Sequence, residues 1–534
     1  MATRISIRRA ALAFLLAAAC NEKTQYLPPP LDRFFFPTGM ALRHVDQPPG
    51  TSCEASGGLY GLEGCQTQLF VASSDADLTY DPVTGGTVLG VDVNATLARD
   101  PLSYNDASPI WLGGNNPSLQ GVRIGSYAGQ LAILDGTTCP GIQFPSGVSG
   151  QVLVTSRSQN ELYRIDIRGD GGLSCSNNGK GAGSTCDASH TVDLLNFSNP
   201  APAADDTYGV TVVCGNFPRQ ASGDTTSVYQ QLAFLTYVQV ANSEGGVGEL
   251  NLVAGGLPYW QDLAVSIAES TVYDPVTTRL FATEMFAAVG VDPLRWLTLA
   301  SPGLGYQSLN MEQFVRGGEV RGIALSTDRT RLYLAMRLYD TVAAGQTGTR
   351  PLGDIGGALV VLNVSAPALD PSNITVENVV PIERGASQIA VVPRPASAGL
   401  RDLVAVVSET DESLELYDDE TGAIANVYGF CVNPPDPVTG APGPGDENAP
   451  PPCDPGKPLL GQQPSTLLVE PIAPGAPPAN VNSQLARLYV ASYDRSWVNV
   501  ITIDPLNPSN DPIGWVRIGQ ERPNIEISNV PDPL

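Results

Sequence analysis

With 534 residues, 54 acidic against 29 basic side chains and a formal net charge of −25, the chain lacks the clustered cations that a phosphate backbone requires. Lysine occurs only at Lys23, Lys180 and Lys457, so neither nucleic acid nor an anionic lipid surface gripped by basic patches is expected as a partner. Two histidines, His44 and His190, both expected at the surface, leave little for His-based acid–base work or a Ser-His-Asp hydrolase.

The N-terminus carries Arg4, Arg8 and Arg9 ahead of an apolar run, residues 10–16. That run is too short to span a bilayer and reads as the core of an export signal. Leu16-Ala17-Ala18-Ala19-Cys20 resembles a bacterial lipobox. The resemblance implies that residues 1–19 are removed and that Cys20 is lipidated. Asn21 stands where an aspartate retains many lipoproteins in the inner membrane, so it resembles an outer-membrane sorting signal. Tyr26-Leu27-Pro28-Pro29-Pro30-Leu31 predicts a stiff polyproline tether within residues 20–32. No later stretch is apolar and long enough to cross a membrane.

From residue 37 on, the chain repeats a degenerate unit. Seven apolar segments end on small or polar residues: 69–73, 152–156, 232–236, 280–283, 332–335, 403–408 and 488–492, the last reading Leu488-Tyr489-Val490-Ala491-Ser492. The motif recurs at irregular intervals, so a constant unit carries variable loops. Several segments follow a strand that opens near Gly or Pro (37–42, 321–325, 387–391, 464–468). Several precede an alternating strand (88–93, 161–166, 358–362, 498–504). Gly422, closing Asp418-Asp419-Glu420-Thr421-Gly422, suits the positive φ of a hairpin turn. Three or four antiparallel strands repeated seven times predict an all-β chain. We expect a seven-bladed β-propeller of mostly four-stranded antiparallel blades with long inter-strand loops, one domain over residues 33–534. Two stacked β-sandwiches are the structural rival. The order of a Gly/Pro-opened strand, Leu-Tyr-Val-Ala-Ser and Val-x-Val-Ile-x-Ile-Asp resembles the YVTN-type seven-bladed propeller family, best at 464–504 and 321–364.

Setting Cys20 aside leaves eight cysteines, an even number that favours disulfides in an exported chain. Cys53 with Cys65, Cys175 with Cys186 and Cys431 with Cys453 are close in sequence, and Cys139 with Cys214 follows by elimination. Metal ligation is the competing account, but no pair has the two-residue spacing of a zinc knuckle.

No Gly-x-Ser-x-Gly elbow occurs, and Ser146-Gly147-Val148-Ser149-Gly150 reads as a turn. The absence of Cys-x-x-Cys-His argues against an attached haem. Some propellers of this appearance are lactonases or hold cofactors in the central channel. Here the inner strands offer Gln388 and Ser465, with Arg321 as the one obvious charge, so no catalytic residue and no cofactor are assigned. Asp75, Asp77 and Asp81 share one loop and are the candidate calcium ligands. Tyr237, Tyr259, Trp260, Phe286, Trp296 and Tyr339 either fill gaps between blades or line one face for a peptide or glycan.

The expected function is therefore that of an outer-envelope lipoprotein, membrane-bound through its lipid alone, whose propeller binds a protein or polysaccharide. A lactonase-like propeller hydrolase, with Arg321, Glu319 and neighbouring carboxylates converging, is one alternative. A calcium-stabilised surface-layer protein is the other.

Overall fold

The structure, a computed structural model, describes residues 28–519 apart from a set of connecting segments, of which 195–205, 340–353 and 430–459 are the longest. Cys20, Asp77, Asp81, Tyr259, Phe286, Cys431 and Cys453 lie outside the described residues.

Each of the seven predicted apolar segments is the second strand of a separate four-stranded antiparallel blade, so the molecule is a seven-bladed propeller. In order from the channel outward, the first blade is Pro37–Asp46, Cys65–Ser73, Gly86–Asp92 and Gly121–Ile124. The second is Ala128–Asp135, Val148–Ser156, Glu161–Arg168 and Thr191–Asp193. The third is Thr207–Pro218, Ser227–Gln239, Glu244–Asn251 and Trp260–Asp262. The fourth is Ala268–Asp274, Arg279–Glu284, Leu294–Thr298 and Gln307–Leu309. The fifth is Gly318–Leu325, Arg331–Tyr339, Asp354–Asn363 and Thr375–Ile382. The sixth is Ala386–Val392, Leu403–Ser408, Ser413–Asp418 and Ala423–Gly429. The seventh is Pro464–Ile472, Leu485–Ser492, Trp497–Ile503 and Gly514–Gly519.

The second strands are apolar without interruption because each blade is covered on both faces. Leu69, Phe70, Val71 and Ala72 are all fully buried. Leu69 and Val71 pack with Tyr489, Val498 and Val500 of the seventh blade. Phe70 and Ala72 pack with Val152, Val154 and Ile165 of the second. Burying a side chain of this size contributes about 1.5–3 kcal/mol, and the odd–even split delivers that stabilisation to both neighbours. Gly422 takes φ 72°, and its N–H donates to Asp418 O at 2.8 Å, closing the predicted hairpin.

Every inner strand carries a bulge near its start: at Pro37/Gly39, Ala128/Leu131, Thr207/Val210, Ala268/Thr271, Val320/Gly322, Ala386/Gln388 and Pro464/Thr466. There the backbones of adjacent blades touch. A Cβ on Gly39 would lie 2.3 Å from Gly129 O, and one on Gly129 would lie 2.1 Å from Tyr208 O. Only glycine permits that approach.

The long connection in the first blade holds a short helix, α1 (Val93–Arg99), started by Asp92 Oδ1 accepting from Ala95 N at 2.9 Å. Residues Asp106–Ala107 then pair in parallel with the outer strand of the seventh blade. Among the described residues three cysteine pairs are bonded: Cys53–Cys65, Cys139–Cys214 and Cys175–Cys186. From Pro29 on, the segment expected as a tether lies against the first blade. Arg123 donates to Pro29 O at 3.2–3.3 Å, and Phe34 and Phe35 are buried.

Candidate functional site

The bulges bring the starts of the inner strands together at one end of the channel, and polar side chains gather there. The shift between Val320 and Gly322 takes Arg321 out of the ladder. Its guanidinium reaches two carboxylates: Nη1 is 3.2 and 3.1 Å from the oxygens of Glu269, and Nε is 2.6 Å from Glu319 Oε1. Burial pushes the Glu269 carboxyl up to about 7. The Arg321 charge pulls against that rise, while Glu319 and Glu409 add to it. Arg337 donates to Ala386 O at 3.0 Å and to Glu409 Oε2 at 2.5 Å. Arg157 is paired with Asp206, and burial drives the Tyr208 hydroxyl well above its ordinary value.

Arg321 and Glu319, named from sequence, therefore do converge, and Glu269 completes the trio. Glu269 escaped the sequence reading because Ala268–Asp274 has a polar start that hides it as a strand. Ser465 and Gln388 are half-buried at the same level. The Ser465 hydroxyl donates to Pro37 O at 3.0 Å in the first blade, so it ties two blades together. Other hydroxyls do the same: Thr466 to Thr38 O, Thr38 to Ala128 O, Thr155 to Tyr208 O, Thr236 to Glu269 O and Ser270 to Arg321 O. Small polar residues of the first and second strands thus stitch five of the seven seams.

The two histidines are not surface residues. His190 is buried, with Nδ1 2.7 Å from Asp187 Oδ1 and Nε2 3.1 Å from Asp166 Oδ2. Burial opposes its charge, but the two carboxylates outweigh burial and raise its pKa. His44 sits between Tyr60, stacked on it at 3.5 Å, and Glu470 Oε1 at 2.9 Å.

Asp75 is buried, and its carboxylate accepts from Tyr80 N at 3.2 Å and from the Ser126 hydroxyl at 3.3 Å. Among the described residues no group of three or more His, Cys, Asp and Glu side chains is placed to hold a metal ion. Tyr237 and Trp296 are buried between blades, which makes them gap fillers. At the opposite end of the inner strands, a hollow of about 600 Å³ is lined by Leu59, Pro393, Arg394, Pro474, Gln484 and Leu506. Arg394 is committed there to Asp418, Arg401 O and Pro505 O.

No family model matches the chain, and no curated protein matches it. Solved structures do resemble it in fold. Kuenenia stuttgartiensis hydrazine synthase aligns at 10% identity over 86% of this chain and 99% of that one, with a TM-score of 0.44. Chaetomium thermophilum Sqt1 aligns at 12% identity over 93% and 89%, also at 0.44, and the Dos1 propeller at 10% over 91% and 86%, at 0.38. Likenesses this distant give no ground for transferring an activity or a partner.

Proposed function

We propose that the chain is an exported lipoprotein of the bacterial outer envelope, anchored through Cys20, whose rims bind a protein or polysaccharide partner without catalysing a reaction. One observation carries this reading: Arg321, Arg337 and Ser465 around the inner strands are committed to ties between blades, which leaves the long loops as the variable surface. Three disulfides support a compartment outside the cytosol. The YVTN-like repeat type belongs to the same proposal and rests on the motif at 464–504.

The Glu269–Arg321–Glu319 trio favours a second reading, hydrolysis of lactones or sugars, because a carboxyl near 7 suits a general acid or base. Cross-linking in intact envelopes, followed by capture of the chain, separates the two. A single enriched protein or glycan, unaffected by Arg321→Ala, is the result expected. Turnover of a lactone or glycoside panel that vanishes with Arg321→Ala overturns it in favour of the hydrolase. For the calcium-stabilised alternative, indifference of the melting temperature to chelator is expected.

A further inference from the structure

The first and seventh blades each keep four strands of their own, and besides the pairing of Asp106–Ala107 with Gly514–Gly519 the ring has a second fastening between them. We propose that the Cys53–Cys65 bond supplies it, by holding a strap from the first blade across the seventh. The strap leaves the inner strand of the first blade at Asp46 and returns at Cys65, the first residue of the second strand. Cys53 and Cys65 are joined with their Cα atoms 4.8 Å apart, and Cys53 N donates to Asp46 Oδ1 at 2.7 Å. Both feet of the strap are thereby fixed to the first blade.

Between the feet, Tyr60 lies on the seventh blade. Its N–H donates to Pro471 O at 2.9 Å, its carbonyl accepts from Ala473 N at 2.8 Å, and it bridges Ile472 in parallel. Its ring lies flat on His44 of the first blade, 3.5 Å between centroids and 7° between planes. His44 in turn meets Glu470 of the seventh blade, which also accepts from Thr67 of the first at 2.7 Å. Tyr60 thus sits between an imidazole of one blade and the backbone edge of the other.

The disulfide matters because of chain entropy. Without it, Tyr60 is carried by all of residues 47–64. With it, the covalent span that carries Tyr60 shortens to 54–64, so placing Tyr60 on Ile472 costs less ordering.

Hydrogen exchange on Cys53→Ser/Cys65→Ser tests this against Cys175→Ser/Cys186→Ser, whose bond closes a loop of nearly equal separation, 11 residues against 12, at the seam between the second blade and the first, away from the seventh. Peptides covering 464–473 should exchange at least tenfold faster in the first variant and at the native rate in the second. Equal protection of 464–473 in both variants overturns the proposal, as does equal acceleration throughout the ring. Should the first variant fail to fold, Tyr60→Ala with the disulfide intact keeps the question open to measurement. Faster exchange confined to 464–473 supports the strap, and native rates there overturn it.

Discussion

At the scale of single residues, Glu470 shows how a buried charge is used. Its side chain has no exposed surface. Burial alone would raise its pKa, yet Arg487 at 3.2 Å, His44 at 2.9 Å and the Tyr489 hydroxyl at 2.5 Å outweigh burial and lower it to about 2. A carboxyl depressed from 4.5 stabilises the fold above its unfolded value, and that contribution is lost as pH falls from about 4.5 toward 2. The difference amounts to about 3 kcal/mol. Glu470→Ala leaves Arg487 buried without its counter-charge, so a loss of about 3–5 kcal/mol in urea unfolding at pH 7 is expected. Below pH 3 the gap between variant and native protein should narrow. A gap that is the same at both pH values would show that Glu470 acts by packing alone. His190 illustrates the opposite charge. Burial opposes its charge, but carboxylates at both ring nitrogens favour the protonated form and raise its pKa. The role of Glu470 is not legible in sequence, because Glu470 and His44 are more than 400 positions apart.

At the scale of elements, the inner strand is the constrained one. Its bulge sets one backbone against the next, and Gly129 is the tightest contact, with Tyr208 O where a Cβ would stand. Gly129→Ala forces adjacent blades apart and should cost about 1–3 kcal/mol in thermal or urea unfolding. Gly136→Ala, in a turn with open space around the new methyl, should stay within about 0.5 kcal/mol. Equal effects would mean that the inner ring is loosely packed. The same physics explains which strands were readable. Second strands announce themselves because both faces are buried, whereas an outer strand such as Thr375–Ile382 alternates exposed positions with half-buried or buried ones and carries Pro381. Outer strands also hold a recurrent tie that sequence reading missed. Asn378 donates to Gly422 O in the sixth blade, and Asn426 donates to Pro508 O and Asn510 O in the seventh. The helix Val93–Arg99 went unseen because about two capped turns inside a long loop leave no periodicity to detect.

At the scale of the whole molecule, seven similar blades must unfold together or come apart one at a time, and the seams decide which. Each seam has a polar tie besides its apolar packing: Arg43 to Asp135, Arg157 to Asp206, Thr236 to Glu269 O, Arg321 to Glu269, Arg337 to Glu409, Arg394 to Pro505 O and His44 to Glu470. The fold class was legible because it depends on the repeated strand pattern. These ties were not, because each joins residues that only the closed ring makes neighbours. One seam is also covalent: Cys139, after the inner strand of the second blade, is bonded to Cys214 in the inner strand of the third, across a separation of 75 residues. Loop-closure entropy of the unfolded chain assigns such a bond about 4 kcal/mol, against about 3 kcal/mol for either short clip. A closed ring couples the second–third seam to the other six, since freeing one blade exposes two apolar faces. Cys139→Ser/Cys214→Ser should therefore shift the whole urea transition to lower concentration, with tryptophan fluorescence and far-ultraviolet dichroism still coincident. Transitions that separate in the variant would show that blades melt independently once the bond is gone, and that ring closure does not couple them.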